Sequence, residues 1–345
     1  MTETMIARKE GRAGRLTLNR PKALNALDHE MAQTLEAALD AWRDDPEVDL
    51  ILIDAEGSRA FCAGGDIAAV YHAGKAGDFA AGGAYWRDEY RMNAKIKEYP
   101  KPVIAFMQGF VMGGGVGLGG HGSHRVIGET TQVAMPETGI GLVPDVGGSL
   151  VLALSPGRIG EYLGVTGSRI NAADAIYAGF ADLFIPEANW PALKAKLVET
   201  GDPGVLPTGL MPPEPGRLAA LRPEIDAAFS GADVREIVER LRTMDSDFAR
   251  ETLDVILQKS ALSEQATLRL VRMTRATPTI RDALSNEFRF TLRAAEHSDF
   301  LEGVRAQIID KDRTPRWRWS LATLPPDLVD AMLAPVPAEW RIDFA

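Results

Sequence analysis

The chain has 345 residues, 46% of them hydrophobic, and its 38 basic and 48 acidic side chains give a formal net charge of −10. That length can bury a large core in one or two domains, and an acidic balance without any long run of Lys or Arg argues against a nucleic-acid partner. Cys62 is the only cysteine, which excludes an internal disulfide and any multi-cysteine metal site, so a reducing compartment is expected.

The opening, MTETMIARKEGRAGRLTLNRP, has no apolar signal core and turns strand-like by about Arg15. No later segment supplies the roughly 18 uninterrupted apolar residues of a membrane span, so no membrane partner and a cytoplasmic location are expected. GRLTLNRP alternates apolar and polar residues and stops at Pro21, which predicts a strand. NALDHEMAQTLEAALDAWRDDP has helical spacing, with Leu27, Met31, Leu35, Leu39 and Trp42 on one face and Pro46 beyond the end. DLILIDAEG reads as a buried strand closed by Gly57, KPVIAFMQG as a second, and HRVIGETTQVAMP as one or two more. Strands alternating with helices predict an α/β architecture with crossovers.

Residues 199–223 hold six prolines and four glycines, a composition that disfavours a continuous helix or central strand. This predicts a connector between a first region, 1–198, and a helical C-terminal region, 224–345. In the latter, DVREIVERLR, DFARETLDVILQKS and TIRDALSNEFRFTLRAAEH have helical spacing, the last with Leu284, Phe288 and Leu292 on one face. The segment DFLEGVRAQIIDKDRTPRWRW ends in a basic and aromatic patch, suited equally to Trp–Arg packing and to ligand contact.

Two glycine-rich turns follow predicted strands: AFCAGGDI at residues 60–67 and GFVMGGGVGLGG at residues 109–120. Successive glycines let a ligand approach backbone N–H groups, and two such turns facing one another would make an oxyanion hole. A dinucleotide site is the rival reading, but a glycine run matches G-x-G-x-x-G too permissively, and no crossover helix separates it from the acid at Glu129. No Walker-type G-K-S or G-K-T occurs. His121 and His124 lack an apparent third ligand and are expected to be structural, as is Cys62 beside the first turn. Ser123 and Ser149 lack the setting of a nucleophile elbow.

The strings NRPKALNAL, AFCAGGD, GFVMGGGVGL and MPETGIGLVPDVGG, in that order, resemble the enoyl-CoA hydratase/isomerase (crotonase) superfamily. The resemblance runs from about Leu16 to Trp319 and, with FLEGVRAQIIDKDRTPRW, is nearest to its 3-hydroxyisobutyryl-CoA hydrolase branch. It implies an α/β fold with a crotonase-like ββα spiral core and a helical C-terminal region that helps close the site. It also implies a thioester carbonyl held by the N–H groups of Gly65 and Gly114. CoA contacts are implied from Lys22, Ala23, Ala63, Asp66 and Ile67, with Arg20 a second phosphate partner. CoA would be substrate and product, with no separate cofactor and no metal. A small homo-oligomer or a monomer is expected.

Hydratases resembling this chain carry two glutamates, and the first of these positions falls here on Gly117, which has no side chain. The second is Glu137, and eight residues on Asp145 adds a carboxylate where hydratases carry a small residue. The resemblance therefore implies attack on the thioester carbonyl of a short 3-hydroxyacyl-CoA, as in valine catabolism, rather than addition to an alkene. Glu137 would be the nucleophile or the general base, and Asp145 would orient the substrate hydroxyl or the water. Plainer readings are a helix N-cap or turn residue for Glu137, an Asx-turn for Asp145 and a solvated helix charge for Glu89, which otherwise matches a substrate-contacting position. The rival functions are an enoyl-CoA hydratase or isomerase of the same fold and a non-catalytic acyl-CoA-binding protein.

Overall fold

The computed structural model describes residues 3–344. Its strands are β1 (Met5–Glu10), β2 (Ala13–Leu18), β3 (Leu50–Ala55), β4 (Ala60–Cys62), β5 (Val103–Met107), β6 (Phe110–Met112), β7 (His124–Ile127), β8 (Gln132–Ala134) and β9 (Leu183–Phe184). They form a larger sheet in the order β1-β2-β3-β5-β7-β9, parallel except for the β1–β2 hairpin, and a smaller parallel sheet β4-β6-β8. Each of the pairs β3/β4, β5/β6 and β7/β8 sends its first strand to the larger sheet and its second to the smaller. The chain thus winds as a spiral of ββα turns, as the resemblance implied. β3 and β5 are almost entirely buried, which is why LILIDA and VIAFM read as continuous apolar runs rather than alternating ones.

Helices α1 (His29–Trp42), α2 (Ala68–Lys75), α3 (Ala80–Lys97), α4 (Gly114–Gly119), α5 (Gly148–Leu154), α6 (Ile159–Thr166), α7 (Ala172–Tyr177) and α8 (Trp190–Thr200) surround the spiral. The expected first helix is α1, capped by the Asp28 carboxylate on the Met31 N–H and burying Met31, Leu35, Leu39 and Trp42. Leu27 lies ahead of it, bridged to Gly65 in the first glycine turn.

The C-terminal region is α9 (Leu218–Ala228), α10 (Val234–Thr243), α11 (Asp247–Ile256), α12 (Ala261–Ala276), α13 (Ile280–His297), α14 (Phe300–Val304) and α15 (Leu328–Met332). Side chains of Asp233, Ser246, Ser260 and Thr279 cap α10 to α13. The connector is shorter than composition suggests. α8 runs to Thr200 before Gly201 turns left-handed, and α9 begins at Leu218 with Pro223 inside it. Proline is tolerated there because the acceptor it leaves unpaired, four residues back, belongs to exposed Ala219. α12 has no counterpart in the predicted elements: Ser263, Glu264, Thr267 and Thr274 sit on its buried surface and mask the apolar stripe. α13 packs on α3, and α12 packs on α5 and α6, so the helical region bears directly on the elements that carry the site. Among the described residues, no helix is long and apolar enough to cross a membrane.

Candidate active site

The three strands of the smaller sheet run parallel, so their C-terminal ends deliver three loops to one edge, the place where open α/β sheets bind ligands. β4 leads to Gly64 and Gly65, β6 to Gly113 and Gly114, and β8 to Pro136 and Glu137. A methyl group on Gly114 would lie 3.2 Å from the Gly65 nitrogen and 3.2 Å from Glu89 Oε1. The two glycine turns therefore meet, and among the described residues neither the Gly65 nor the Gly114 N–H has a protein acceptor. Two free N–H groups side by side can hold one developing oxyanion without reorganising.

Glu89, Glu137 and Asp145 converge on this spot, lining with Tyr85, Trp86 and the glycines a cavity of about 60 Å³. All three acids are buried, at 2%, 4% and 5% exposure, so Glu89 is not a solvated helix charge. Glu89 Oε1 and Glu137 Oε2 have no hydrogen-bond partner. Buried polar atoms are nearly always satisfied, which makes these two available to a ligand. Glu137 opens a short 3-10 turn, Glu137–Ile140, whose N-cap position is held by Pro136. Nor is Asp145 an Asx-turn: its main-chain oxygen accepts the Gly148 N–H at 2.6 Å, while its carboxylate accepts from Tyr90 Oη at 2.7 Å.

Burial pushes the Glu89 and Glu137 carboxyls well above their usual range, and repulsion from Asp145 adds to it. Burial also raises Asp145, to about 7, with the Tyr90 hydrogen bond favouring its ionised form. Chemistry that needs an ionised carboxylate here gains rate as pH rises. We expect kcat/KM to fall about tenfold per unit below about pH 7. A profile flat down to about pH 5 would show that the acids ionise at ordinary values.

Gly117 lacks not only a side chain but the room for one. A methyl group there would lie 2.8 Å from Asn93 Nδ2 and 2.8 Å from Val146 Cβ. Asn93 is fully buried, one turn along α3 from Glu89, and neither of its amide atoms has a partner. Tyr90, Asn93 and Glu287 are polar site residues that sequence reasoning missed. The first two were detectable as polar side chains interrupting the buried face of α3.

The loop carrying Asp145 is held under strain. Val146 has φ +54, an outlier for a β-branched residue. His121 Nε2 lies 2.7 Å from the Val146 carbonyl, and burial lowers this histidine to about 4, so the neutral ring donates as a structural group. Glu287 on α13 accepts the N–H groups of Gly147 at 2.8 Å and Ser149 at 2.9 Å. His124 lies elsewhere, against Ser123 Oγ at 3.0 Å. Cys62 is buried with its thiol pushed up to about 12, which leaves it no nucleophilic role. Among the described residues, no group of three or more His, Cys, Asp or Glu side chains is arranged to hold a metal ion.

The residues expected to touch CoA border the same edge, with differences. Lys22 and Ala23 are exposed in the turn Pro21–Ala23. Arg20 is not a free phosphate partner: it pairs with Asp66 at 2.9 Å and Asp28 at 3.2 Å and donates to the Ala26 carbonyl. The N–H groups of Ala63, Asp66 and Ile67 are spent on Leu24, Leu27 and Gly65, and the Ile67 carbonyl accepts the Tyr71 N–H, which leaves the carbonyl oxygens of Ala63 and Asp66 for a ligand. At the C-terminal basic patch the packing reading holds, with Trp317 donating to the Gln258 carbonyl at 2.9 Å and Arg318 5.8 Å over the Trp319 ring.

Comparison with known proteins fits this geometry. Residues 13–333 match the family model for enoyl-CoA hydratase/isomerase. The mitochondrial 3-hydroxyisobutyryl-CoA hydrolase of Gallus gallus is 40% identical over 91% of this chain and 84% of its own. A crystal structure of an enoyl-CoA hydratase from Rhodobacter sphaeroides superposes with a TM-score of 0.94 at 52% identity, covering 99% of this chain and 100% of that one. A carnitinyl-CoA dehydratase from Mycobacterium thermoresistibile gives 0.94 at 40% identity, covering 99% of both. The cytoplasmic location expected from the sequence is overturned by the vertebrate relatives, which are named as mitochondrial. A lone cysteine and the lack of a signal core separate reducing from oxidising compartments, and they do not tell one reducing compartment from another. By fold, family match and identity over most of its length, the chain belongs to the enoyl-CoA hydratase/isomerase family.

Proposed function

We propose that the chain is a thioester hydrolase that converts 3-hydroxyisobutyryl-CoA, or a related short 3-hydroxyacyl-CoA, to the free hydroxy acid and CoA. The observation that carries this reading is the pair of buried acids, Glu137 and Asp145, set against the two free glycine N–H groups. In the proposed reaction the Gly65 and Gly114 N–H groups take the thioester oxygen and stabilise it as it becomes an oxyanion. Glu137 then follows one of two routes. As a nucleophile it forms a mixed anhydride and expels the CoA thiolate, which takes up a proton, and water opens the anhydride and regenerates Glu137. As a general base it takes a proton from water, which attacks the same carbon; the tetrahedral intermediate expels the CoA thiolate, and the proton held by Glu137 passes to the departing sulfur. Asp145 orients the substrate hydroxyl or that water, and Glu89 borders the acyl group. Lys22 is the exposed cation suited to a CoA phosphate, and Ala23, Ala63, Asp66 and Ile67 would border the rest of CoA, with main-chain oxygens of Ala63 and Asp66 free to accept from it.

Hydration or dehydration of an acyl-CoA is the second reading, favoured by the names of the two superposing structures. Against it stands the filled space at Gly117, which leaves no room for the first of a hydratase's two glutamates. The Gallus gallus relative, named a hydrolase, favours thioester cleavage. In the cell the proposed step would release CoA during valine breakdown. We also propose that the spiral and the C-terminal helices work as two regions of a monomer or small homo-oligomer, the second closing over the first.

The test compares kcat/KM for 3-hydroxyisobutyryl-CoA and isobutyryl-CoA, which differ by one hydroxyl. A site that hydrogen-bonds this hydroxyl with buried acids should prefer the first by about 100-fold or more. Equal values would remove the 3-hydroxyacyl assignment.

A further inference from the structure

Asp145 hangs on a strained loop, and the side chains that fix it come from a helix some 140 residues further along the chain. Glu287 and Thr291 lie one turn apart on the face of α13 turned to the site, both fully buried. Glu287 bridges the Gly147 and Ser149 N–H groups, the first two free donors after Asp145 and Val146. Thr291 Oγ1 lies 3.2 Å from Tyr90 Oη, the same oxygen whose proton goes to Asp145 at 2.7 Å. A phenol has one proton, so with Asp145 as its acceptor Tyr90 receives the Thr291 hydroxyl in return. The loop backbone and the Asp145 carboxylate are thus each held from α13, one directly and one through Tyr90.

We propose that Glu287 and Thr291 are positioning residues that set the place of Asp145 for the reaction, making the C-terminal helix a working part of the site. The inference rests on the hydrolase reading only for the identity of the reaction. A carboxylate suits the bridge because it offers acceptors to two N–H groups at once, whereas an amide in its place must turn one N–H toward a donor. It is a costly choice, since burial raises Glu287 to about 8 and no cation is paired with it in the described residues. The titratable groups facing it are Asp145, Tyr90, Glu137 and the neutral His121 that lies against Gly147.

The test uses the full chain and two readouts. In Glu287→Gln the amides of Gly147 and Ser149 should exchange with deuterium roughly tenfold faster or more. On whichever acyl-CoA the wild type turns over, kcat should fall about 100-fold with KM little changed. Glu287→Asp, which keeps two acceptor oxygens, should slow the exchange again and restore part of the lost kcat. A purely structural residue would lower the melting temperature and leave kcat of the folded protein unchanged. Thr291→Val serves where Glu287→Gln does not fold: it should lower kcat about tenfold at an unchanged melting temperature. Wild-type exchange and kcat in a folded Glu287→Gln, or wild-type kcat in Thr291→Val, would overturn the proposal. Faster exchange in a protein whose wild type releases no thiol from any hydroxyacyl-CoA would leave the positioning role standing and overturn the hydrolase reading.

Discussion

Replacing Glu137 by Gln should lower kcat for thiol release by about a thousandfold while leaving the fold intact. The side chain keeps its shape, and one of its oxygens has no hydrogen bond to lose. What is lost is the ability to attack a carbonyl or take a proton, and both proposed routes depend on it. The acid is buried beside Asp145, Glu287 and Glu89, so a neutral amide also removes repulsion. The melting temperature should therefore hold or rise, separating chemical from structural loss. Steady-state kinetics beside thermal unfolding decides the matter. A loss under about tenfold would move the chemistry from Glu137 to Asp145.

Gly114→Ala should cost about 100- to 1,000-fold in kcat/KM by a different route. The added methyl group would stand 3.2 Å from the Gly65 nitrogen, where the two free N–H groups meet and the thioester oxygen has to sit. Gly114 is not among the glycines with positive φ, so alanine suits its backbone and the protein should fold. Substrate and transition state are both displaced, so KM should rise as kcat falls. A variant with near-wild-type kcat/KM would show that the carbonyl is held elsewhere.

The parts of the molecule legible in its sequence are those with local causes. Alternation and buried runs marked β2, β3 and β5, and the stripe from Met31 to Trp42 marked α1. Glu137, Asp145 and the two glycine turns stood out because acids and consecutive glycines are unusual in such apolar settings. What stayed hidden depends on distant parts of the chain. α12 buries Ser263, Glu264 and Thr267 against neighbours that no local pattern announces. Pro223 stands inside α9 because its orphaned acceptor belongs to an exposed residue, which composition does not reveal. Glu287 reads as one charge of an amphipathic helix until the fold brings it to Gly147. The pairing of Arg20 was hidden in the same way, since its partner Asp66 arrives from another loop.

Release of free CoA thiol from 3-hydroxyisobutyryl-CoA, run beside hydration of crotonyl-CoA with one enzyme preparation, tests the proposed function most directly. The buried acid pair and the filled space at Gly117 predict rapid thiol release with negligible hydration. Hydration without thiol release would contradict it and would mean that another residue supplies the second acid.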